Sequence, residues 1–142
     1  MSSNESRAMI IPTMRYHDAA SAIEWLCEAF GFVRHLVVPG ENGKIVHAQL
    51  TLGNGMIMLG SSEEDEYGEL VKPLANVDSP CTQSPYIVVK DIDALYEKAQ
   101  AAGAIIEIEL KEEDYGGKVF SCRDPQGQLW NFGSYNPWIQ EQ

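Results

Sequence analysis

DAASAIEWLCEAFG, residues 18–31, reads as one complete helix with its own start and stop signals. Asp18 is an N-cap, its carboxylate placed to accept a free backbone N–H of the first turn. Ile23, Leu26, Cys27 and Phe30 recur at helical spacing and form one apolar stripe. Gly31 stands where a left-handed residue ends a helix. The pattern returns in DIDALYEKAQAAG, residues 91–103. There Asp91 or Asp93 caps, Leu95, Tyr96 and Ala99 supply the stripe, and Gly103 closes it.

Working outward, extended segments flank both helices in the same order. Residues 8–16, rich in Ile and Met, form a strand before the first helix, and residues 32–38 form one after it. Pro39-Gly40-Glu41-Asn42-Gly43 is a turn cluster. In residues 44–52, Ile45, His47, Gln49 and Thr51 point one way, and Val46, Ala48, Leu50 and Leu52 the other. Gly53-Asn54-Gly55 turns this strand into a hairpin with residues 56–60. Around the second helix lie strands at 86–90, 104–110, 118–123 and 128–135. A loop covers 111–117, and Asp124-Pro125-Gln126-Gly127 is a turn with Pro and Gly in favoured places. Repetition on this scale makes the chain α+β, with two tandem βαβββ modules. The first spans residues 8–61 and the second 84–135, joined by an acidic linker at 62–83 and followed by a tail at 136–142.

The composition bounds the function. The chain has 142 residues, with 10 Lys and Arg against 21 Asp and Glu, for a formal charge of −11. Such a surface repels phosphate backbones, so nucleic acid is not an expected partner. No apolar run reaches the roughly 20 residues that cross a bilayer. The N-terminus, residues 1–7, is polar and reads as neither leader nor anchor, so the expected location is the cytoplasm. Cys27, Cys81 and Cys122 are too few for a disulfide framework and form no C-x-x-C pair, so reduced thiols are expected. The acidic run Glu63-Glu64-Asp65-Glu66 lacks the spacing of a calcium loop and reads as a solvated segment.

Four stretches together resemble the vicinal oxygen chelate superfamily of glyoxalases, bleomycin-resistance proteins and extradiol dioxygenases. They are IPTMRYHDAASAIEWLCEAFG (11–31), VHAQLTLGNGMIMLG (46–60), YIVVKDIDALYEKAQAAG (86–103) and CRDPQGQLWNF (122–132). The last, with Arg-Asp-Pro-x-Gly before an aromatic strand, is the most specific. The resemblance implies a curved mixed sheet, a cup, with helices on its outer face, and a homodimer. In metal-dependent members, it implies one ligand from the first and last strand of each module. Aligned on the capping Asp and the closing Gly, those positions hold Ile11, Met58, Ser84 and Asn131. None is a carboxylate or imidazole, the donors that divalent metals want. No metal and no cofactor are expected.

The candidate cup residues are those the resemblance implies, with alternation choosing the face of the His47 strand. His47, Gln49 and Thr51 form a polar row, joined by Thr13 and Arg15 from the first strand and Met58 from the last. The second module offers Ser84, Tyr86 and Asn131, with Tyr115 at the lip, where an aromatic ring can stack on a planar ligand. A solvent-facing row at an open sheet edge is the competing reading of the His47 strand. His47 could act as a general base, yet no nucleophile or carboxylate partner is assigned to it. His17 and His35 read as surface residues, Trp130 and Phe132 as core, and Trp138 as a group docked on this chain or on a second copy. The expected function is metal-free binding of a small molecule, with the negative surface favouring cationic, aromatic-bearing ligands. The alternatives are a glyoxalase- or dioxygenase-like enzyme with a non-standard site, or a dimer with no dedicated cup chemistry. Sequence leaves open whether a cup closes within one chain or between two.

Overall fold

A computed structural model describes residues 8–139. The polar N-terminus (1–7) and the end of the tail (140–142) lie outside the described residues. The first module runs β1 (Thr13–Tyr16), α1 (Ala19–Phe30), β2 (Val33–Pro39), β3 (Ile45–Leu52) and β4 (Gly55–Ser61). A short helix α2 (Glu66–Leu70) lies in the linker. The second module repeats the order with β5 (Tyr86–Val88), α3 (Ile92–Ala101), β6 (Ile105–Glu112), β7 (Lys118–Arg123) and β8 (Leu129–Gly133). Each module is a four-stranded mixed sheet, ordered β1-β4-β3-β2 and β5-β8-β7-β6, so the two sheets have the same topology. The βαβββ repeat is therefore real.

The helix signals act as expected. The Asp18 carboxylate accepts from the Ser21 amide at 3.1 Å, and Asp91 does the same for Ala94 at 3.2 Å. Those bonds satisfy donors that the first turn leaves free. Gly31 takes φ 88°, which a side chain resists, and returns its N–H to the Cys27 carbonyl. The buried side of α1 is centred on Ala22, Ile23, Leu26, Ala29 and Phe30, while Cys27 is half-buried.

Three readings of the strands and one of the linker need correction. Residues 8–12 are not strand. Pro12 has no N–H to offer the ladder, and its carbonyl instead accepts from Met58, so β1 starts at Thr13. Val46 and Ile45 exchange faces, because β2 and β3 slip register between Val38 and Pro39. Ile45 is 7% exposed and Val46 53%, the reverse of simple alternation. In the second module β6 extends to Glu112, paired with Lys118, which shortens the expected loop. The linker is not simply a solvated segment, since Asp65 caps α2 through the Gly68 amide at 2.8 Å.

One core serves both modules. Phe30 of α1 packs edge-on against Trp130 and Phe132 of β8, with ring centroids 5.6 and 4.7 Å away. Ala48, Leu50, Ile57 and Leu59 of the first sheet join Phe120, Cys122, Trp130 and Phe132 of the second in the same buried cluster. Side chains alternate across a strand, so the residues between these point the opposite way. The polar face of each sheet therefore lies on the side away from this core.

A polar clasp reinforces this arrangement. The Tyr16 hydroxyl of β1 donates to Asp124 Oδ2 at 2.6 Å, and Trp130 Nε1 donates to the same oxygen at 3.1 Å. The amides of Gln126 and Gln128 fill Oδ1 at 3.0 Å each. Gln126 then reaches across, accepting from the Asp18 amide and donating to the Asp18 carbonyl. The Asp-Pro-Gln-Gly turn thus holds the β1–α1 corner of the other module. Burial raises the Asp124 carboxyl above its ordinary value, against the opposing pull of these four donors.

Candidate functional site

The polar row of the first module assembles as a surface. Thr13 pairs with Met58 across the parallel ladder, and Met58 with Gln49 across the antiparallel one, which sets the three residues side by side. Arg15 lies opposite Gly60. A side chain at Gly60 would bring its Cβ to 2.9 Å from the Val46 carbonyl and 3.2 Å from Arg15 Nη1, so glycine is what fits there. His47 Nε2 and Gln49 Nε2 are hydrogen-bonded at 3.1 Å.

These side chains border a cleft of about 170 Å³, walled by Thr13, Arg15, Val46, His47, Met58 and Tyr67 among others. Gln49 and Thr51 continue the row beyond the cleft. Val46 and Tyr67 are among the walls that escaped the sequence reading. Val46 arrives through the register slip. Tyr67 arrives on α2, its hydroxyl 3.1 Å from Thr13 Oγ1 and its ring 4.9 Å from the Arg15 guanidinium carbon. The signal for Tyr67 was the Asp65-x-x-Gly68 spacing, a helix start inside the acidic run.

The second-module candidates gather on their own sheet, apart from the cleft. Asn131 Oδ1 accepts from Ser121 Oγ at 2.7 Å, while its Nδ2 donates to Ser84 Oγ at 2.7 Å and to the Pro85 carbonyl at 2.9 Å. Tyr86 lies beside it and donates to the Tyr135 carbonyl at 2.6 Å. Tyr115 packs edge-on against Tyr135, with centroids 4.8 Å apart, so it too reaches this face. The expected cup residues therefore form two groups: Thr13, Arg15, His47, Gln49, Thr51 and Met58 on one, and Ser84, Tyr86, Tyr115 and Asn131 on the other.

Cys122 and Cys27 are not activated nucleophiles. Burial, then the neighbouring Asp124, pushes the Cys122 thiol up to about 12, and burial also raises Cys27. His17 is exposed and lies 3.0 Å from the Leu74 carbonyl, and His35 is exposed on β2. Trp138 is 91% exposed, so the described part of the tail does not dock it on its own chain.

A family model for the glyoxalase/bleomycin resistance protein/dioxygenase superfamily matches residues 10–132. The chain belongs to that superfamily. An uncharacterised Mycobacterium bovis protein is 32% identical over 123 residues, covering 86% of this chain and 80% of its own. Among solved structures, TioX from Micromonospora sp. ML1 aligns with a TM-score of 0.72 and 27% identity, covering 92% of this chain and all of TioX. A glyoxalase I mutant from Zea mays aligns at 0.69 and 18% identity, over 89% of this chain and 45% of its own, a likeness of fold alone.

The superfamily includes metal-dependent members, and a divalent metal at the four corresponding positions needs carboxylate or imidazole donors. The two modules share one register: Met58 N–H donates to the Pro12 carbonyl just as Asn131 N–H donates to that of Pro85. Met58 and Asn131 are therefore equivalent, as are Ile11 and Ser84. Ile11 has no donor atom, Met58 only a soft thioether, and the Asn131 amide is committed to Ser121, Ser84 and Pro85. Among the described residues, no three His, Cys, Asp or Glu side chains come close enough together to hold an ion. This donor set does not fit the family's divalent metal.

Proposed function

We propose that this superfamily member binds a small molecule without a metal, on the polar face of its first module, and acts by holding that molecule. The observation that carries the reading is the cleft between β1, β4 and Tyr67. Its wall offers a hydroxyl, a guanidinium and an imidazole around a thioether and a valine, a mixture that orients an organic ligand. At about 170 Å³ it is smaller than the ~300–1,000 Å³ of usual ligand sites. We extend the reading accordingly: a second copy of the chain pairs with this one, and its second-module face covers the cleft. The exposed Trp138 and Ile139 are apolar surface available to such a contact. Cytoplasmic residence accords with three free thiols. Among the described residues, no helix is long and apolar enough to cross a membrane.

A thermal-shift screen against planar aromatic metabolites, anionic, neutral and cationic, tests the reading. A ligand at about a hundred times its Kd adds roughly 2.7 kcal/mol, which raises Tm by several degrees in a domain of this size. His47→Ala should remove most of that rise. A ligand shift that His47→Ala leaves unchanged places binding elsewhere and overturns the assignment of this face.

A further inference from the structure

Arg15 stands out among the basic residues. Its side chain is half-buried in the cleft wall, and the one hydrogen bond it makes among the described residues runs from Nη1 to the Ser61 carbonyl at 2.7 Å. A guanidinium has five N–H donors, so most of this one's are uncommitted. The ion pairs of the described residues are Lys111–Glu113, Lys118–Asp93 and Arg123–Glu107, none of them here. Among the described residues, the half-buried Arg15 therefore has no carboxylate within 4.0 Å, and the cleft wall they form contains no Asp or Glu. A charge partly withdrawn from water is stabilised by an opposite charge, which here a ligand can bring.

Tyr67 and Gly60 hold the guanidinium in place. The Tyr67 ring lies over it at 4.9 Å, a cation–π arrangement, and Gly60 leaves room beneath. Stacking and the Ser61 bond fix the plane of the fork. A planar, fixed guanidinium suits a carboxylate, which takes two parallel N–H bonds. Thr13 and His47 border the same cleft and can donate to the same group.

Resting on the reading of this face as a binding site, we infer that its ligand is an organic anion, a carboxylate seated on Arg15. The net charge favours cations in the approach, but it acts over distances that salt screens beyond about 8 Å. Inside the cleft Arg15 is the nearest full charge, and a cationic ligand would meet it directly.

Benzoate, benzamide and benzamidine share one ring and differ in charge, and NMR titration of the protein with each tests the inference. Benzoate should shift the Arg15 side-chain N–H and the amides of Thr13 and Gly60. Benzamide should bind about tenfold more weakly, as expected for loss of a charge-assisted pair, and benzamidine should leave these signals in place. Arg15→Gln should bring benzoate down to the affinity of benzamide, and Arg15→Lys should recover part of the loss. The wild-type comparison holds even if a variant folds poorly. Equal binding of all three probes at these amides would overturn the anion preference and leave the binding face standing. Benzoate shifts confined to other regions, or no binding of benzoate, would overturn the inference, and shifts elsewhere would count against the face as well.

Discussion

Asp124→Ala should lower stability by about 4 kcal/mol, since a buried donor stripped of its acceptor costs roughly 1–3 kcal/mol. The substitution strands the Tyr16 hydroxyl and the Trp130 indole N–H, both in residues no more than 3% exposed. It also frees the two amides that shape the Asp-Pro-Gln-Gly turn. A domain this small has about 5–15 kcal/mol in total, so the midpoint of urea unfolding should move far down. Asp124→Asn keeps one carbonyl acceptor and should fall between the two. The sign of the pH effect also follows. Burial raises the folded carboxyl above its ordinary 3.8. The stability this one group adds is then full below 3.8 and declines as pH rises through the raised folded value. Asp124→Ala should lose that slope. A cost under about 1 kcal/mol would mean that the clasp does not hold the modules together.

Phe30→Ala is the second large effect, with an expected cost of about 3–5 kcal/mol. The ring is 4% exposed and touches Trp25 of its own helix and Trp130 and Phe132 of the other module. Its removal leaves a cavity where the two halves meet, and neither half can close it without moving an aromatic ring. Phe30→Leu keeps most of the volume and should cost much less. Because one buried cluster spans both modules, the wild type should unfold in a single calorimetric transition. Two separated transitions in the wild type, or a Phe30→Ala cost near zero, would contradict a shared core.

Whatever depended on local chemistry could be read from the chain. Asp18 and Asp91 cap because a short carboxylate reaches an amide three residues on. Gly31 closes a helix because its φ is open. The hairpin at Gly53-Asn54 needs no partner from elsewhere to be recognised. Trp130 and Phe132 were legible as core because their strand alternates cleanly.

What escaped the sequence depends on distant neighbours. Asp124 reads as a turn residue, and nothing near it in the chain announces Tyr16, which comes from the far end of the sequence. Val46 looks apolar and inward until the register with β2 slips. Tyr67 sits in an acidic run whose helix is a single turn long. The arrangement of the modules is the largest case. Alternation tells which residues share a face of a sheet, but not which sheet that face meets. His47 and Asn131 lie on separate sheets, each on the face away from the buried cluster.

Metal content tests the central claim most directly. Protein loaded with nickel, zinc and iron(II) in turn, then passed through a desalting column, should retain far less than one ion per chain. The same samples should not isomerise the hemithioacetal of methylglyoxal and glutathione. Ile11, Met58, Ser84 and Asn131 offer too few hard or imidazole donors to do otherwise. One tightly held ion per chain, lost when Met58 or Asn131 is replaced, would contradict the account.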